Sequence, residues 1–385
     1  MNLTIPIFHI SAARKLLTRL RFERFTLPVL THVHATIDAA GLSLAVTDLD
    51  HWLETRVPAT IDPPPLGRFL IPAEALKVAA RGDKGSSAHF AFTEDADGTT
   101  LTLTTSCCGL SVKSVYHLVV EAKDFPARPI VQGQITPMPK ETFAALGIVA
   151  GCASTDATRH ILNGVYFTPE ENGMLIATDG RRLAGAPARV PDREFVLPTA
   201  AVHVLVHPDF STRDAAVMQA TQEDDAHIQF RSGPHTLIAK TIEGHYPNYR
   251  NVIPSYMPQS VTIPETHKGA LITWLRSLKG RSNSVRLTWE TPDHLTLTHR
   301  DYDTVGATIQ IPVTTDGQPP EIAFDPKYLA DAIEIGPTLR LVDKLNPGLA
   351  TGPSGNFCVL MSQRFTEETS TDQSASEAPA PAMAA

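Results

Sequence analysis

The sequence predicts an α+β fold made of three similar domains, each containing two helix-plus-antiparallel-sheet repeats. Six times, a strand end runs into a proline that is followed by a helical pattern. The prolines are Pro6, Pro72, Pro139, Pro198, Pro264 and Pro326, at intervals of 66, 67, 59, 66 and 62 residues. Such internal repetition dictates architecture. A chain of 385 residues with 42% hydrophobic content is also long enough for two to four domains.

A helical segment follows each proline. The segments cover residues 10–20, 73–82, 140–151, 199–207, 267–280 and 327–335. In the first segment Ile10, Ala13, Leu17 and Leu20 fall on one helical face. Proline is tolerated at the first turn of a helix and cannot continue the ladder of a strand, so it fits this boundary.

Between the helical segments the hydrophobic pattern changes to period two. The clearest cases are residues 41–50, 99–106, 235–242, 285–290 and 294–300. Alternation of Thr with Leu or Val indicates strands with one solvent-facing side. We therefore predict domains at 1–127, 128–256 and 257–365. Residues 366–385 hold four acids and no Lys or Arg, which predicts a disordered acidic tail.

Basic residues concentrate on the predicted helices although the chain carries a formal net charge of −8. A solvated helix face would explain one such helix, whereas several basic helices favour a shared surface for phosphates that reads no bases. The candidate DNA-binding residues lie on the first, second and fifth helical segments and at their exits. They are Arg14, Lys15, Arg19, Arg24, Lys77, Arg81, Arg276 and Lys279.

Several classes of function find no support in the sequence. The four cysteines show no C-x-x-C spacing, and no export signal or run of 18 apolar residues is present, so we expect a cytoplasmic protein without a zinc site. No Walker A, G-x-S-x-G or G-x-G-x-x-G motif occurs, so we expect no catalytic residue and no cofactor. His32, His34, Asp48, Asp50 and His51 leave a metal-dependent nuclease as a weaker alternative.

Motifs spread along the whole chain carry a family resemblance. They are "TLPVL" (26–30), "LSLAVTDLD" (42–50), "DFP" (124–126), "LNGVYF" (162–167), "ATDGRRLA" (177–184), "GHYPNYRNVIP" (244–254) and "VLMSQRF" (359–365). In this order and spacing, the chain resembles the bacterial DNA polymerase III beta subunit, or sliding clamp, family over residues 1–365.

The resemblance implies a head-to-tail homodimer whose six domains form a ring around duplex DNA, with helices lining the hole. Such a ring is a processivity factor, a non-catalytic subunit of a DNA-directed DNA polymerase, which is a nucleotidyltransferase. Its implied partners are double-stranded DNA without sequence preference, the polymerase III alpha subunit, the clamp loader and other proteins with clamp-binding motifs. No membrane partner is implied. Tethering raises the effective concentration of the polymerase at its template.

The resemblance also implies a pocket for short linear peptides. Its residues here would be Leu162, Thr178, Gly180, Arg181, Arg182, Leu183, Pro247, Val252, Val359 and Met361. Independently of the family, Asp179-Gly180 predicts a hairpin turn, and the two arginines could instead pair with acids elsewhere in the chain. Arg181 replaces a frequent His and Asn251 a common Arg, and the tail extends past the usual end. A divergent paralogue serving repair or a mobile element is therefore the alternative to the main replicative clamp.

Overall fold

The computed structural model describes residues 1–20, 27–62, 67–95, 98–220, 226–278, 284–301 and 304–364. These residues form helices and antiparallel strands that repeat in the order predicted from the prolines. Five of the helices begin directly after Pro6, Pro72, Pro139, Pro198 and Pro264, and one helix has Pro326 as its first residue. The predicted acidic tail, 366–385, lies outside the described residues.

The first domain contains two helices, α1 (Ile7–Leu17) and α2 (Ala73–Ala79). Its strands are β1 (Asn2–Pro6), β2 (His32–Asp38), β3 (Gly41–Thr47), β4 (His51–Val57), β5 (Thr60–Asp62), β6 (Gly67–Pro72), β7 (Ser87–Asp95), β8 (Gly98–Cys107) and β9 (Leu110–Leu118). The predicted apolar face of the first helical segment is buried, with Ile10 and Leu17 at 0% exposure. Burying one leucine fully is worth about 1.5 to 3 kcal/mol, so this face anchors the helix on its sheets.

The second domain contains α3 (Lys140–Ala150), α4 (Thr199–Leu205) and the single-turn α5 (Pro208–Ser211). Its strands are β10 (Gly133–Met138), β11 (Gly164–Thr168), β12 (Met174–Thr178), β13 (Arg182–Pro187), β14 (Phe195–Pro198), β15 (Ala215–Ala220), β16 (His227–Ser232) and β17 (His235–Lys240). The helix predicted over 199–207 ends earlier, because His207 leads into α5, where it acts as the N-cap.

The third domain contains α6 (Glu265–Ser277) and α7 (Pro326–Ile335). Its strands are β18 (Gln259–Thr262), β19 (Val285–Thr291), β20 (His294–Asp301), β21 (Thr304–Pro312), β22 (Thr314–Asp316), β23 (Ile322–Phe324), β24 (Thr338–Leu341), β25 (Gly348–Thr351) and β26 (Phe357–Leu360). Asp325 caps α7 by accepting hydrogen bonds from the amides of Lys327 and Tyr328 at 2.9 and 3.2 Å, which satisfies two amides of the first turn.

Two sheets run continuously across the junctions between the predicted domains. The first has the strand order β10-β15-β16-β17-β4-β3-β2-β6, and β17 pairs with β4 at the first junction. The second has the order β14-β11-β12-β13-β26-β25-β24-β18-β22, and β13 pairs with β26 at the second junction. A five-stranded sheet, β5-β1-β7-β8-β9, and a four-stranded sheet, β21-β20-β19-β23, complete the described part of the chain.

The hydrophobic core lies between the helices and the sheets in each domain. Phe90, Phe143, Phe167, Phe230 and Phe324 are all essentially fully buried there. The period-two segments all form strands, but the expectation of one solvent-facing side fails for β3, in which every residue after Gly41 is buried, and for β17 of the same sheet, in which residues 236–239 are all buried. The physical reason is that the outer face of this sheet is covered as well, by the segment that joins the first two domains.

Candidate docking site at the second junction

The stretch from Thr178 to Arg182 is a hairpin turn between β12 and β13. The Thr178 hydroxyl donates to the carbonyl of Arg182 at 2.7 Å and accepts from the amide of Gly180 at 3.0 Å. The Asp179 carboxylate accepts from the amides of Arg181 and Arg182 at 2.9 and 3.0 Å. Gly180 has a φ of +85°, which glycine adopts without strain. The side chains of Thr178 and Asp179 thus hold the backbone of the turn by hydrogen bonds.

The turn stands beside an apolar cluster on the outer face of the second sheet, the face opposite the helices. We name it the second-junction cluster. Its buried members are Met174, Ile176, Leu183, Tyr249 and Val359, and its half-buried members are Tyr166, Tyr246, Ile253, Leu349 and Phe357. Strands of both domains supply it, because Leu183 on β13 pairs directly with Val359 on β26. The segment that joins the second domain to the third packs over it.

Three tyrosines form one wall of the second-junction cluster. The rings of Tyr166 and Tyr246 are stacked, with centroids 4.6 Å apart and an interplanar angle of 7°, and Tyr249 meets Tyr166 edge-on at 6.4 Å. Burial, followed by Glu194, raises the pKa of Tyr166 to about 12. Burial also raises the pKa values of Tyr246 and Tyr249. All three phenols are therefore neutral at pH 7, and the hydroxyl groups of Tyr246 and Tyr249 are buried within the wall.

Most of the ten residues predicted for the peptide pocket lie in or around this cluster. Leu183 and Val359 are in its floor, at 4% and 3% exposure. Val252 and Met361 are about half exposed, and the amide of Met361 donates to the carbonyl of Arg181 at 3.0 Å. Gly180, Arg181 and Pro247 are exposed, and Thr178 is half-buried at the end of β12. Leu162 is buried in the preceding loop but is not a member of the cluster.

Arg182 departs from the prediction, because it is not on the rim of this cluster. Consecutive residues of a strand point to opposite faces, so the strand that presents Leu183 to the cluster turns Arg182 toward the helices. There its side chain is only 5% exposed and forms ion pairs with Asp179 and with Asp331 on α7. It also donates to the carbonyl of Gly151 at 2.6 Å. Arg182 therefore joins the second and third domains, as the alternative of pairing with acids anticipated.

The prediction missed several members of the cluster, notably Tyr166, Met174 and Ile176. Residues 174–177 of β12 include no polar residue that would mark an outer face, because this part of the strand is covered on both sides. A period-two pattern requires one wet face. For Met174 and Ile176 the usable signal was their position four and two residues before Thr178 on the same strand.

The predicted DNA-binding residues have different surroundings. Lys15, Arg19 and Arg81 are exposed, and Arg14 is half-buried. Lys77 pairs with Glu74 at 3.1 Å. Arg276 forms ion pairs with Asp331 and Glu334 of α7, so its charge is balanced within the chain, which weakens its assignment to DNA. Arg24 and Lys279 lie outside the described residues.

The residues behind the nuclease alternative have structural partners. His51 Nδ1 lies 2.8 Å from Asp48 Oδ2 within a hairpin turn, His32 Nδ1 lies 2.8 Å from the Pro28 carbonyl, and His34 stacks on Phe125. In the part of the chain that the structure describes, no three His, Cys, Asp or Glu side chains are grouped to hold a metal ion. In the same part, no helix has the length and apolarity to cross a membrane.

Comparison with known proteins places the chain beside one group of replication proteins. The family model described as the DNA polymerase III beta subunit, central domain, matches residues 138–248. The chain is 27% identical to the beta sliding clamp of Caulobacter vibrioides strain NA1000 over 347 residues, covering 86% of this chain and 90% of that protein. It is 28% identical to the beta sliding clamp of a Synechocystis species, covering 88% and 91%.

Solved structures agree with the sequence comparison. The crystal structure of the Caulobacter crescentus beta sliding clamp matches with a TM-score of 0.80 at 26% identity, covering 95% of this chain and 99% of that one. The DNA polymerase III beta subunit of Thermotoga maritima has the same fold, with a TM-score of 0.79 at 17% identity, 95% of this chain and 100% of that one being covered.

Proposed function

Because the chain belongs to the beta sliding clamp family of bacterial DNA polymerase III, we propose that it closes into a ring around duplex DNA and tethers the replicative polymerase there. Its role in that reaction is positional, since a tether raises the local concentration of the enzyme at the template without taking part in bond chemistry. We assign it no catalytic residue and no cofactor, and a place in the cytoplasm with the chromosome.

The observation that carries the ring is the repetition of one strand pairing. At the first junction β4 pairs with β17, and at the second junction the equivalent strands, β13 and β26, pair in the same way. The third domain offers the equivalent strand β21 and the first domain offers β9. Within the described residues each of these two strands pairs on one side only, with β20 and β8 respectively. Both are edge strands whose outer backbone groups are available for pairing with another strand.

A second copy of the chain satisfies both edges at once. Pairing β21 of one copy with β9 of the other, in both directions, makes two further junctions of the same kind and closes six domains into a ring. This places the edges, which would otherwise be templates for aggregation, in two identical heterologous interfaces.

For DNA contact we propose Lys15, Arg19 and Arg81, with Arg14, Arg24, Lys77 and Lys279 as further members. Exposed cations that meet phosphates bind without regard to base sequence, and every position along the duplex is then nearly equal in energy. Equal energies permit sliding. For docking of clamp-binding proteins we propose the second-junction cluster, with Leu183 and Val359 as its floor and Thr178, Arg181, Val252 and Met361 as its border.

A divergent paralogue remains the second candidate function, and the border of the cluster favours it. Arg181 and Asn251 replace residues common in the family, and the four acids of the tail follow closely after Met361. A clamp with this border would prefer different peptide motifs. Affinity for the motif of the replicative polymerase of the same cell distinguishes the two, because only the main clamp requires it.

The ring is tested by retention on circular and linearised DNA after loading by the cognate clamp loader with ATP. A closed ring stays on circles and leaves linear DNA through the ends. The matched variants are Ser114→Pro and Val115→Pro on β9. Neighbouring amides of an edge strand point alternately toward and away from β8, so only one of the two variants removes an outward donor while preserving the sheet. That variant should be monomeric and lose retention with an unchanged unfolding midpoint; equal retention on both DNA forms would contradict the ring.

A further inference from the structure

The first junction carries a second apolar cluster, on the outer face of the first sheet. We name it the first-junction cluster. Its buried members are Ala45, Trp52, Leu70, Phe125, Val131 and Ile238. Half-buried Val29, Val120 and Ala122 pack against it. As at the second junction, strands from two domains form the floor and the segment that joins the domains crosses over it.

The hairpin turn beside this cluster repeats the turn from Thr178 to Arg182 bond for bond. The Thr47 hydroxyl donates to the carbonyl of His51 at 2.6 Å and accepts from the amide of Leu49 at 3.0 Å. The Asp48 carboxylate accepts from the amide of His51 at 2.7 Å. Leu49 occupies the position of the glycine with a φ of +82°. A leucine at such a φ is strained, so this turn keeps the same conformation despite backbone strain that Gly180 avoids in the other turn.

The floor and wall also correspond. Trp52 pairs with Ile238 across the first junction as Leu183 pairs with Val359 across the second. His34 stacks on Phe125 with centroids 4.8 Å apart, in the position of the stacked Tyr166 and Tyr246. The two junctions thus share the same arrangement of turn, paired floor residues and stacked rings.

The border of the first-junction cluster differs in charge. A cavity of about 870 Å³ opens there, lined by the cations Arg56, Arg68, Lys123, Arg128 and Arg231 and by the anions Asp38 and Glu54. Arg56 pairs with Asp38 at 3.5 Å, and Arg128 with Glu54 at 3.2 Å. Lys123 pairs with Glu121 outside the cavity lining, at 2.7 Å.

Arg68 and Arg231 are exposed and form no ion pair with any residue that the structure describes. His34 adds no charge, because burial, followed by the positive charge of Arg68, lowers its pKa to about 4. Arg68 and Arg231 therefore give the cavity an excess of two positive charges in a chain that is acidic overall. Two exposed guanidinium groups without an ion pair among the described residues can each hold a carboxylate in bidentate fashion.

We propose that this cavity is a second docking site, for an extended acidic peptide segment of a partner protein. The charge of the lining selects carboxylates, and Ala122, Pro126 and Ala127, which line the cavity and are half-buried or exposed, offer an apolar wall for a side chain between them. Single-stranded nucleic acid fits less well, because His34, Trp52 and Phe125 are at most 7% exposed and offer no free ring face for base stacking. The inference rests on the proposed function in one respect, which is the choice of a peptide segment of a partner protein as the ligand.

The test uses the full chain and a fluorescein-labelled peptide that alternates Glu with Leu over eight residues, followed by fluorescence anisotropy in low and moderate salt. The variant is Arg68→Gln with Arg231→Gln. Arg340→Gln, which changes an exposed strand arginine of the third domain, is the charge control. The double variant should weaken binding about tenfold, as two charge-assisted contacts of modest strength imply, and the control should leave it unchanged. The same peptide with Gln in place of Glu should not bind.

Other results would overturn the proposal. If Arg340→Gln weakens peptide binding as much as the double variant does, the peptide is held by diffuse charge attraction. If Met361→Ser weakens peptide binding and the double variant does not, the peptide binds at the second-junction cluster. Competition by excess peptide of residues 366–385 would make the acidic tail of this chain the occupant in place of a partner. Tighter binding of a single-stranded oligonucleotide, lost in the double variant, would make the cavity a nucleic-acid surface. Loss of DNA retention in the ring assay leaves these peptide results intact, so failure of the proposed function is distinguishable.

Discussion

Arg182 links the second domain to the third through its ion pair with Asp331. The variant Arg182→Met should therefore measure how much this side chain contributes to the free energy of unfolding. Its guanidinium is 5% exposed and serves Asp179, Asp331 and the Gly151 carbonyl, while lying 4.5 Å above the ring of Tyr328. Removing one partner of a buried ion pair costs about 3 to 5 kcal/mol. Asp331 keeps its ion pair with Arg276 at 2.9 Å and is 21% exposed. We therefore expect Arg182→Met to lower the free energy of unfolding by about 2 to 3 kcal/mol.

The matched control is Arg250→Met. Arg250 also pairs with two carboxylates, Glu170 and Glu171, and lies over a tyrosine ring, but it is 40% exposed. Screening by water limits such a pair to about 1 kcal/mol or less. The two arginines thus differ in burial but have the same number of carboxylate partners.

The assay is urea unfolding of the full chain, reported by Trp274 and Trp289 of the third domain in a Trp52→Phe background common to all variants. A double-mutant cycle with Asp331→Asn measures the coupling of the pair, which should exceed about 1 kcal/mol for groups in direct contact. A loss below about 1 kcal/mol for Arg182→Met, or an equal loss for Arg250→Met, would refute the view that burial decides the strength of this junction.

Three further predictions concern docking, DNA and pH. Met361→Ser, at a half-exposed border residue, should weaken binding of a peptide carrying the clamp-binding motif of the cognate polymerase about tenfold. Leu345→Ser, at an exposed apolar residue outside the cluster, should not; a larger effect of Leu345→Ser than of Met361→Ser would contradict the docking assignment. Lys15→Gln with Arg19→Gln should lower the slope of log affinity against log salt by about two for each copy of the chain in contact with duplex DNA, and an unchanged slope would place these cations away from DNA. Because the pKa of His34 falls from 6.5 to about 4 on folding, the unfolded chain binds the extra proton between these values, so the free energy of unfolding should fall as pH drops from 6.5 to 4. His34→Phe should flatten that fall, and an unaltered pH profile would show that His34 is not its source.

Much of the architecture could be predicted from local sequence rules. The six prolines marked helix starts because proline is compatible with the first turn of a helix and incompatible with the interior of a ladder. The period-two segments gave strands, and Asp179-Gly180 gave its turn, because these signals act within a few residues. The face of α1 followed from 3.6-residue spacing. Each of these properties belongs to the chain before it folds.

Tertiary structure alone decided how the junctions work. Arg181 and Arg182 are adjacent and chemically identical, yet one is exposed at the border of the second-junction cluster and the other is buried against α7, because the pleat of β13 separates them and only the pairing with β26 shows which face is which. Arg276, predicted as a DNA contact, forms ion pairs with Asp331 and Glu334 of α7, which its sequence neighbours do not reveal. The correspondence between His34 with Phe125 and Tyr166 with Tyr246 is invisible in residue identity, since it lies in shared strand register. Local propensity determined the six repeats of this protein, whereas the side-chain partners at each junction depended on residues far apart in sequence that only folding brings together.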